Sequence, residues 1–317
     1  MTTHPASPKI APRNEIGLGL TLMVVSVLIA PVIDIFSKLA VVDVPATVIT
    51  LCRFLFQTLT LVPIVLWRST LFDLTRRKVA LHAVRGLMTA IVMISFVTAL
   101  AVMEVADALA IFFVEPIILT ILGAIFLKET IGWRRYTACA VGFLGALLVI
   151  QPSLQEVGLV ALLPIVSAFA LAVYLLITRL AAQSEDPWSM QLHTGLWGAG
   201  FAGLALLVGG SLGWPAFTPV LPQGDAALYI VGAGIAATIS GIFGAYAYRN
   251  APASVLAPLQ YLEIVSATAL GWWVFGDLPD PLKWLGISII IGSGLYVIWR
   301  EHKLRKRTTL PPMPPLA

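Results

Sequence analysis

Ten apolar stretches of about 20 residues alternate with short polar segments along the chain. A helix needs about 20 residues to cross the hydrocarbon core of a bilayer, whereas membrane strands alternate apolar and polar residues with a period of two. The pattern therefore predicts an all-α integral membrane protein with ten transmembrane helices. These helices are expected at residues 16–39, 45–67, 79–102, 107–127, 133–150, 157–179, 188–210, 226–248, 253–275 and 283–299.

The composition of the 317 residues supports this class, since 59% of them are hydrophobic and only 11% are charged. An ordinary soluble domain is about 25% charged, so a soluble enzyme, a disordered chain and a nucleic-acid binder are excluded. Cys52 and Cys139 lie inside apolar stretches without paired spacing, so we expect buried thiols and no disulfide. The chain contains no HExxH, GxSxG or GxxxxGKS/T motif. We therefore expect neither an enzyme nor a bound metal or cofactor.

The basic residues indicate the orientation, because the cytoplasmic loops of membrane proteins are enriched in Lys and Arg. With both termini in the cytoplasm, 16 of the 20 Lys and Arg residues fall on the cytoplasmic side. The helices are then preceded by a cytoplasmic tail over 1–15 and followed by a basic, Pro-rich cytoplasmic tail over 300–317. We expect the second tail to be a solvated anchor, and binding of anionic lipid or of a protein partner is the alternative.

The two halves of the chain repeat each other. Residues 86–150 align with residues 234–298 at a constant shift of 148, with 11 identities among 65 positions, and Glu115 aligns with Glu263. We therefore expect a five-helix repeat over 16–150 and a second one over 157–299. An odd number of helices gives the two repeats opposite orientations in the membrane, which is typical of alternating-access transporters with a binding site between the halves.

Two carboxylates are the first candidates for such a site. Glu115 and Glu263 are expected about 13–15 Å along their helices, near the middle of the bilayer, where an ionisable residue costs about 2.5–3.5 kcal/mol. Pro116 and Pro258 lie beside them, and a proline inside a helix interrupts its hydrogen bonds, so we expect helix breaks there. Because burial favours the protonated form of a carboxyl group, proton coupling is one interpretation. A structural pair of carboxylates that keeps the helices in register is the other.

Arg53 and several aromatic or amide side chains complete the candidate substrate-binding set. Arg53 lies about 12 Å into the second stretch, where it could receive an anionic or carbonyl-rich solute or neutralise Glu115. A planar solute would stack on aromatic walls and bond to an amide, while packing or lipid contact is the alternative for each such side chain. The side chains expected near the two glutamates are Phe112, Phe113, Gln260 and Tyr261, together with Tyr246 and Tyr174.

Three other charged residues are expected to have structural roles. Asp34 and Lys38 are four residues apart, so they are expected to form a local ion pair on one helix. Arg85 lies about one and a half turns inside the cytoplasmic face, from where a long side chain can extend back toward water.

Short motifs in both repeats resemble those of a known family. They are Phe113-Val114-Glu115-Pro116, Leu127-Lys128-Glu129 and Gly132-Trp133-Arg134-Arg135 in the first repeat, and Tyr261-Leu262-Glu263, Trp284-Leu285-Gly286 and Ser293-Gly294-Leu295-Tyr296 in the second. Over nearly its whole length, the chain is similar to the EamA-type domains of the drug/metabolite transporter superfamily. This resemblance implies ten helices, a multi-pass place in the bacterial inner membrane and carriage of a small organic solute.

The motifs are most similar to the branch of that family that includes riboflavin and S-adenosylmethionine uptake proteins. The resemblance implies a secondary transporter whose first candidate solute is a flat vitamin such as riboflavin. S-adenosylmethionine or an amino-acid-like metabolite, taken up or exported, is the alternative. An integral membrane enzyme or lipid-handling protein that uses Glu115 and Glu263 as an acid pair is the alternative of another class. The expected partners are the solute and the lipid bilayer, and a homodimer is compatible with the sequence.

Overall fold

The computed structural model of the protein describes residues 13–67, 75–126, 133–181, 185–251, 256, 259–260, 262–276, 278 and 280–308. All regular structure within these ranges is helical, so the prediction of an all-α protein is confirmed. The helices are α1 (Arg13–Ala40), α2 (Ala46–Trp67), α3 (Arg76–Leu100), α4 (Val105–Phe112), α5 (Glu115–Phe126), α6 (Trp133–Val157), α7 (Leu163–Ala181), α8 (Pro187–Ser211), α9 (Gly224–Asn250), α10 (Leu262–Phe275) and α11 (Pro281–Thr308).

Seven helical stretches in the described part of the chain are long and apolar enough to cross a membrane. Two further apolar helices, Leu262–Phe275 and Pro281–Ser293, are shorter. Helices that are apolar on all sides are typical of a protein that lies in lipid, because lipid-facing and core-facing positions are then both apolar.

Several helix boundaries differ from the hydropathy pattern. The fourth expected helix, 107–127, is divided into α4 and α5 by a turn at Phe113 and Val114. Pro116 follows directly in the first turn of α5, where the missing amide hydrogen of proline is tolerated because that position needs no donor. A 3-10 turn over Gly158–Leu162 precedes α7. In addition, α6 continues to Val157 and α11 to Thr308, because a helix can extend beyond the thickness of the lipid.

The contacts between helices show an internal symmetry. If α7, α8, α9, α10 and α11 correspond to α1, α2, α3, α5 and α6, each main contact recurs with the two halves exchanged. Thus α1 packs on α9 as α7 packs on α3, and α1 packs on α10 as α7 packs on α5. In the remaining contacts, α2 with α8 and α6 with α11, each helix packs against its own equivalent in the other half. Each of these contacts joins one half of the chain to the other.

Small residues let some of these helices approach closely. A Cβ atom added to Gly86 of α3 would lie 2.3 Å from the Cβ atom of Trp197 on α8. A Cβ atom added to Gly145 of α6 would lie 3.0 Å from the carbonyl oxygen of Gly286 on α11. Close backbone approach through glycine is a common device of helix packing in membranes, and here it joins the halves at two places.

Short connections make successive helices alternate in direction, with α4 and α5 together forming one crossing, so the bundle has two distinct ends. The beginnings of α1, α3 and α8 and the end of α11 lie at one end, which we call the termini end. The end of α1 and the end of α10 meet at the opposite end, which we call the far end. There the Lys38 ammonium lies 4.6 Å from the centre of the Phe275 ring.

Candidate functional site

Glu115 occupies the break between α4 and α5. It is the first residue of α5 and only 5% exposed, and its Oε1 atom has no hydrogen-bond partner among the described residues. The buried side chains around the break include Ile111, Phe113 and Val114. A buried polar atom without a protein partner is costly, so a group that can bind a proton or a solute atom fits this position.

Glu263 holds the corresponding place in the second half. It lies in α10, which packs against α1 and α4. Its carboxyl group is close enough to interact electrostatically with Glu115 and with Asp34 of α1. The two glutamates that align in the repeat therefore share one electrostatic environment, to which each half of the chain contributes one carboxyl group.

Arg53 of α2 is the positive group of this environment. Its guanidinium interacts electrostatically with Asp34 and with the phenol of Tyr174 on α7. The guanidinium carbon lies 4.9 Å from the centre of the Phe54 ring, and the buried Nε atom has no hydrogen-bond partner in the described ranges. Asp34, which the sequence assigned to an ion pair with Lys38, also interacts electrostatically with Arg53.

The other candidate side chains have separate positions. Phe112 packs on Phe96 with ring centroids 5.2 Å apart, and Phe113 is a buried core side chain set edge-on to Phe112 at 6.4 Å. Gln260 donates a hydrogen bond of 3.0 Å to the Tyr248 hydroxyl. Tyr261 and Pro258 lie outside the described residues, and the side chain of Pro116 is not described either.

The sequence suggested that Arg85 extends toward water, but its side chain points into the bundle. It is 1% exposed and donates hydrogen bonds to Thr178 Oγ1 at 3.1 Å, to the Tyr174 hydroxyl at 3.3 Å and to the Met190 carbonyl oxygen at 3.4 Å. The guanidinium turns inward because α7 and α8 supply these acceptors within the bundle. A lone Arg inside an apolar stretch was the available signal, but its acceptors come from helices that are distant in sequence.

Lys283 at the far end is also buried. It is 4% exposed, and its Nζ atom lies 2.5 Å from Asp107 Oδ2 of α4. Glu156 and Asp280 lie 3.6 Å and 3.9 Å from the same nitrogen. Lys283 belongs to the second half, whereas Asp107 and Glu156 belong to the first, so this ion cluster joins the halves at the far end.

The central arrangement brings acidic, basic and phenolic groups together. Asp34, Glu115 and Glu263 offer carboxyl groups, Arg53 offers a guanidinium, and Tyr174 offers a phenol. Within the described ranges, no group of three or more His, Cys, Asp or Glu residues is arranged to hold a metal ion. Carboxyl, guanidinium and phenol groups supply charge attraction, hydrogen bonds and proton transfer.

Curated relatives are similar over most of the chain. A protein named riboflavin transporter from Rhizobium johnstonii is 28% identical over 231 residues, or 71% of this chain and 72% of the relative. A riboflavin transporter from Vibrio cholerae is 26% identical over 269 residues, 84% and 87% of the two chains. An S-adenosylmethionine uptake transporter from Rickettsia bellii is 26% identical over 289 residues, 91% and 95% of the two chains.

The fold and the family can also be compared directly. One solved crystal structure covers 90% of this chain and 98% of its own with a TM-score of 0.65, and its 16% identity shows a shared fold alone. The model of the EamA-like transporter family matches residues 17–151 and again residues 158–299. These two matches confirm the resemblance carried by the motifs and, with the apolar helices, make the protein a multi-pass membrane transporter: the chain belongs to the EamA-like transporter family.

Proposed function

We propose that the protein is a secondary transporter that moves a small organic solute across the bacterial inner membrane by alternating access. The observation that carries this proposal is the packing of α10 against α4, which brings Glu263 near Glu115, one glutamate from each half of the chain. Glu115 begins α5 after a turn inside the bundle, and such interrupted helices line solute sites in transporters. The symmetric helix contacts support the proposal, because exchange of the two halves would convert one open side into the other.

The proposed topology has ten membrane helices in two inverted repeats, with both termini in the cytoplasm. The termini end then faces the cytoplasm and the far end faces outward, in agreement with the distribution of Lys and Arg. For a test, a single cysteine is placed at Gln223 or at Arg76 in a background without Cys52 and Cys139. We expect an impermeant thiol reagent to label the Gln223 position in intact cells and the Arg76 position only after permeabilisation. The opposite pattern would overturn the proposed orientation.

We propose uptake of a flat vitamin such as riboflavin as the first candidate activity. The relatives from Rhizobium johnstonii and Vibrio cholerae carry that name. The partly buried Phe112 and Tyr174 offer ring faces on which a planar solute could stack, and the Arg53 guanidinium could donate to its carbonyl oxygens.

S-adenosylmethionine is the second candidate, because the central group contains three carboxyl groups, those of Asp34, Glu115 and Glu263, against one guanidinium. Such an excess favours a solute with a positively charged group, in so far as the carboxyl groups are ionised. The relative from Rickettsia bellii is named an S-adenosylmethionine uptake transporter.

Uptake into proteoliposomes tests both candidates. Purified protein is reconstituted, an inward proton gradient is imposed, and labelled riboflavin and labelled S-adenosylmethionine are compared at equal concentration. We expect one solute to accumulate with its chemical structure unchanged and to be displaced by its unlabelled form. Conversion of a solute into product without a gradient would instead support the membrane-enzyme alternative, and no accumulation of either solute would reject both candidates.

A further inference from the structure

A polar group at the termini end borders the proposed solute site and shares Tyr174 with it. We call it the histidine cluster; it consists of His82 and Arg85 of α3, Glu185, Tyr174 of α7 and His193 of α8. His82 and Arg85 are each 1% exposed, and His193 is 6% exposed. Burying three titratable or charged side chains together costs free energy unless they are hydrogen-bonded or paired. Their polar atoms therefore need partners within the cluster.

The hydrogen bonds of His82 fix its protonation in this arrangement. Arg85 Nη1 lies 3.3 Å from His82 Nδ1, and a guanidinium can only donate, so Nδ1 accepts and carries no hydrogen. His82 Nε2 lies 2.9 Å from Glu185 Oε2, so the ring hydrogen is on Nε2 and is donated to the carboxylate. The ring is thus neutral, and both of its nitrogens are used.

His193 adds a second imidazole beside the first. The two rings are stacked with centroids 4.6 Å apart, and His193 Nε2 has no hydrogen-bond partner among the described residues. A proton on His193 would place a positive charge beside His82 and near Arg85. A proton on His82 Nδ1 would set an N–H group against the Arg85 N–H group. Either proton therefore removes favourable contacts and adds repulsion.

The cluster joins the two halves of the chain. His82 and Arg85 belong to the first half, whereas Tyr174, Thr178, Glu185 and Met190, whose groups bind them, belong to the second. The same helices approach closely at Gly86 and Trp197, one turn farther along. Separation of α3 from α7 and α8 at the termini end requires these hydrogen bonds to break.

We propose that the His82–His193 pair is a proton-sensitive latch, which holds the termini end closed while both rings are neutral and releases it when either ring gains a proton. This inference rests on the proposed alternating access but not on the identity of the solute. Because the closed arrangement excludes the added proton and an open one exposes the rings to water, a lower pH favours opening. The latch thus gives the termini end its own response to cytoplasmic pH.

The surrounding groups agree with this direction. On α3, Lys78 and Arg85 act on the imidazoles as positive charges. On α7 the facing group is the phenol of Tyr174, which already accepts from Arg85, and before α8 Glu185 already accepts from His82. The neighbouring α2 contributes the neutral Gln57, whose amide donates to the Gln191 carbonyl oxygen at 3.1 Å, and α9 contributes Tyr246, which accepts from Trp188 at 2.6 Å.

Thiol accessibility tests the latch without any solute. Met190 is 3% exposed at the termini end and Met103 is 5% exposed at the far end, so each is replaced by cysteine, one at a time, in a background without Cys52 and Cys139. Labelling by a small maleimide is measured at about pH 7.5 and about pH 5.5, on either side of the ordinary histidine range. Each rate is divided by that of the same variant unfolded at the same pH, which removes the effect of pH on the thiol itself.

We expect the relative labelling of the Met190 position to rise about tenfold at the lower pH, while that of the Met103 position does not rise. His82→Gln retains an acceptor for Arg85 and a donor for Glu185 but cannot titrate, so it should reduce the pH response, as should His193→Gln. His302→Gln removes a histidine outside the cluster and should leave the response unchanged. An unaltered response in both cluster variants would overturn the proposal.

The outcome is separate from that of the uptake experiment. If neither candidate solute accumulates but Met190 labelling follows pH through His82 and His193, the proposed function fails and the latch stands. If uptake is found but the labelling is independent of pH in the wild-type background, the latch fails and the transporter stands. Should His82→Gln fail to fold, His193→Gln gives the same test from the other helix.

Discussion

Glu115→Gln and Glu263→Gln are each expected to insert and fold normally but to lose about tenfold or more of the initial uptake rate, equivalent to about 1.4 kcal/mol or more. Glutamine keeps the size and hydrogen-bonding capacity of the side chain and removes only its charge and its ability to titrate. If proton movement is coupled through either carboxyl group, the corresponding variant should also lose the dependence of uptake on pH. The measurement is initial uptake in proteoliposomes between about pH 5.5 and about pH 8.

The matched control is Asp43→Asn, which removes a carboxylate from the exposed connection between α1 and α2. It should transport at the wild-type rate with the wild-type pH dependence. Folding of all variants is checked by their thermal unfolding in detergent. Correctly folded Glu115→Gln and Glu263→Gln proteins with unchanged rates at every pH would show that the pair is structural.

Lys283→Met is expected to cost about 3–5 kcal/mol of stability, because it leaves the Asp107 carboxylate buried without its cationic partner. Asp107→Leu should cost less. Lys283 would keep Glu156 and Asp280 within 4 Å, whereas Asp107 Oδ1 has no hydrogen-bond partner among the described residues even with Lys283 present. Thermal unfolding in detergent at one fixed pH shows which of the two variants is less stable.

The double variant Lys283→Met with Asp107→Leu completes this cycle. Replacing both members of a buried ion pair by apolar residues of similar volume is often close to neutral, so the double variant should be more stable than Lys283→Met alone. Additive losses would mean that the two side chains act independently, in conflict with the ion pair in the structure. Because the Coulomb energy of a buried pair is little screened, the result should change little with salt.

The sequence was sufficient for the helical class and for the family. Apolar stretches of membrane length predict helices because a spanning helix satisfies its backbone hydrogen bonds internally. Hydropathy could not place the helix ends, however, since it reports the part of a helix that lies in lipid. Hydropathy therefore did not predict the extensions of α6 to Val157 and of α11 to Thr308. It also did not predict the turn at Phe113 and Val114, which lies within one apolar stretch.

The polar groups were harder to assign, because their partners depend on which helices pack together. The repeat aligned Glu115 with Glu263, and a common depth followed from that alignment. It gave no sign that Asp34 interacts with Arg53, or that Arg85 finds its acceptors on α7 and α8. Those pairings come from long-range contacts between the halves, which neither periodicity nor spacing contains.

The shortness of α4 has a mechanical consequence. This helix has only eight residues, about 12 Å of axis, with Asp107 in its first turn and Glu115 three residues beyond its end. Two turns of hydrogen-bonded backbone form a stiff strut, and the turn at Phe113 and Val114 is a joint between this strut and α5. A displacement of Asp107 by Lys283 therefore moves the end of α4, three residues before Glu115, so we expect a change at the far-end ion pair to be felt at the central site.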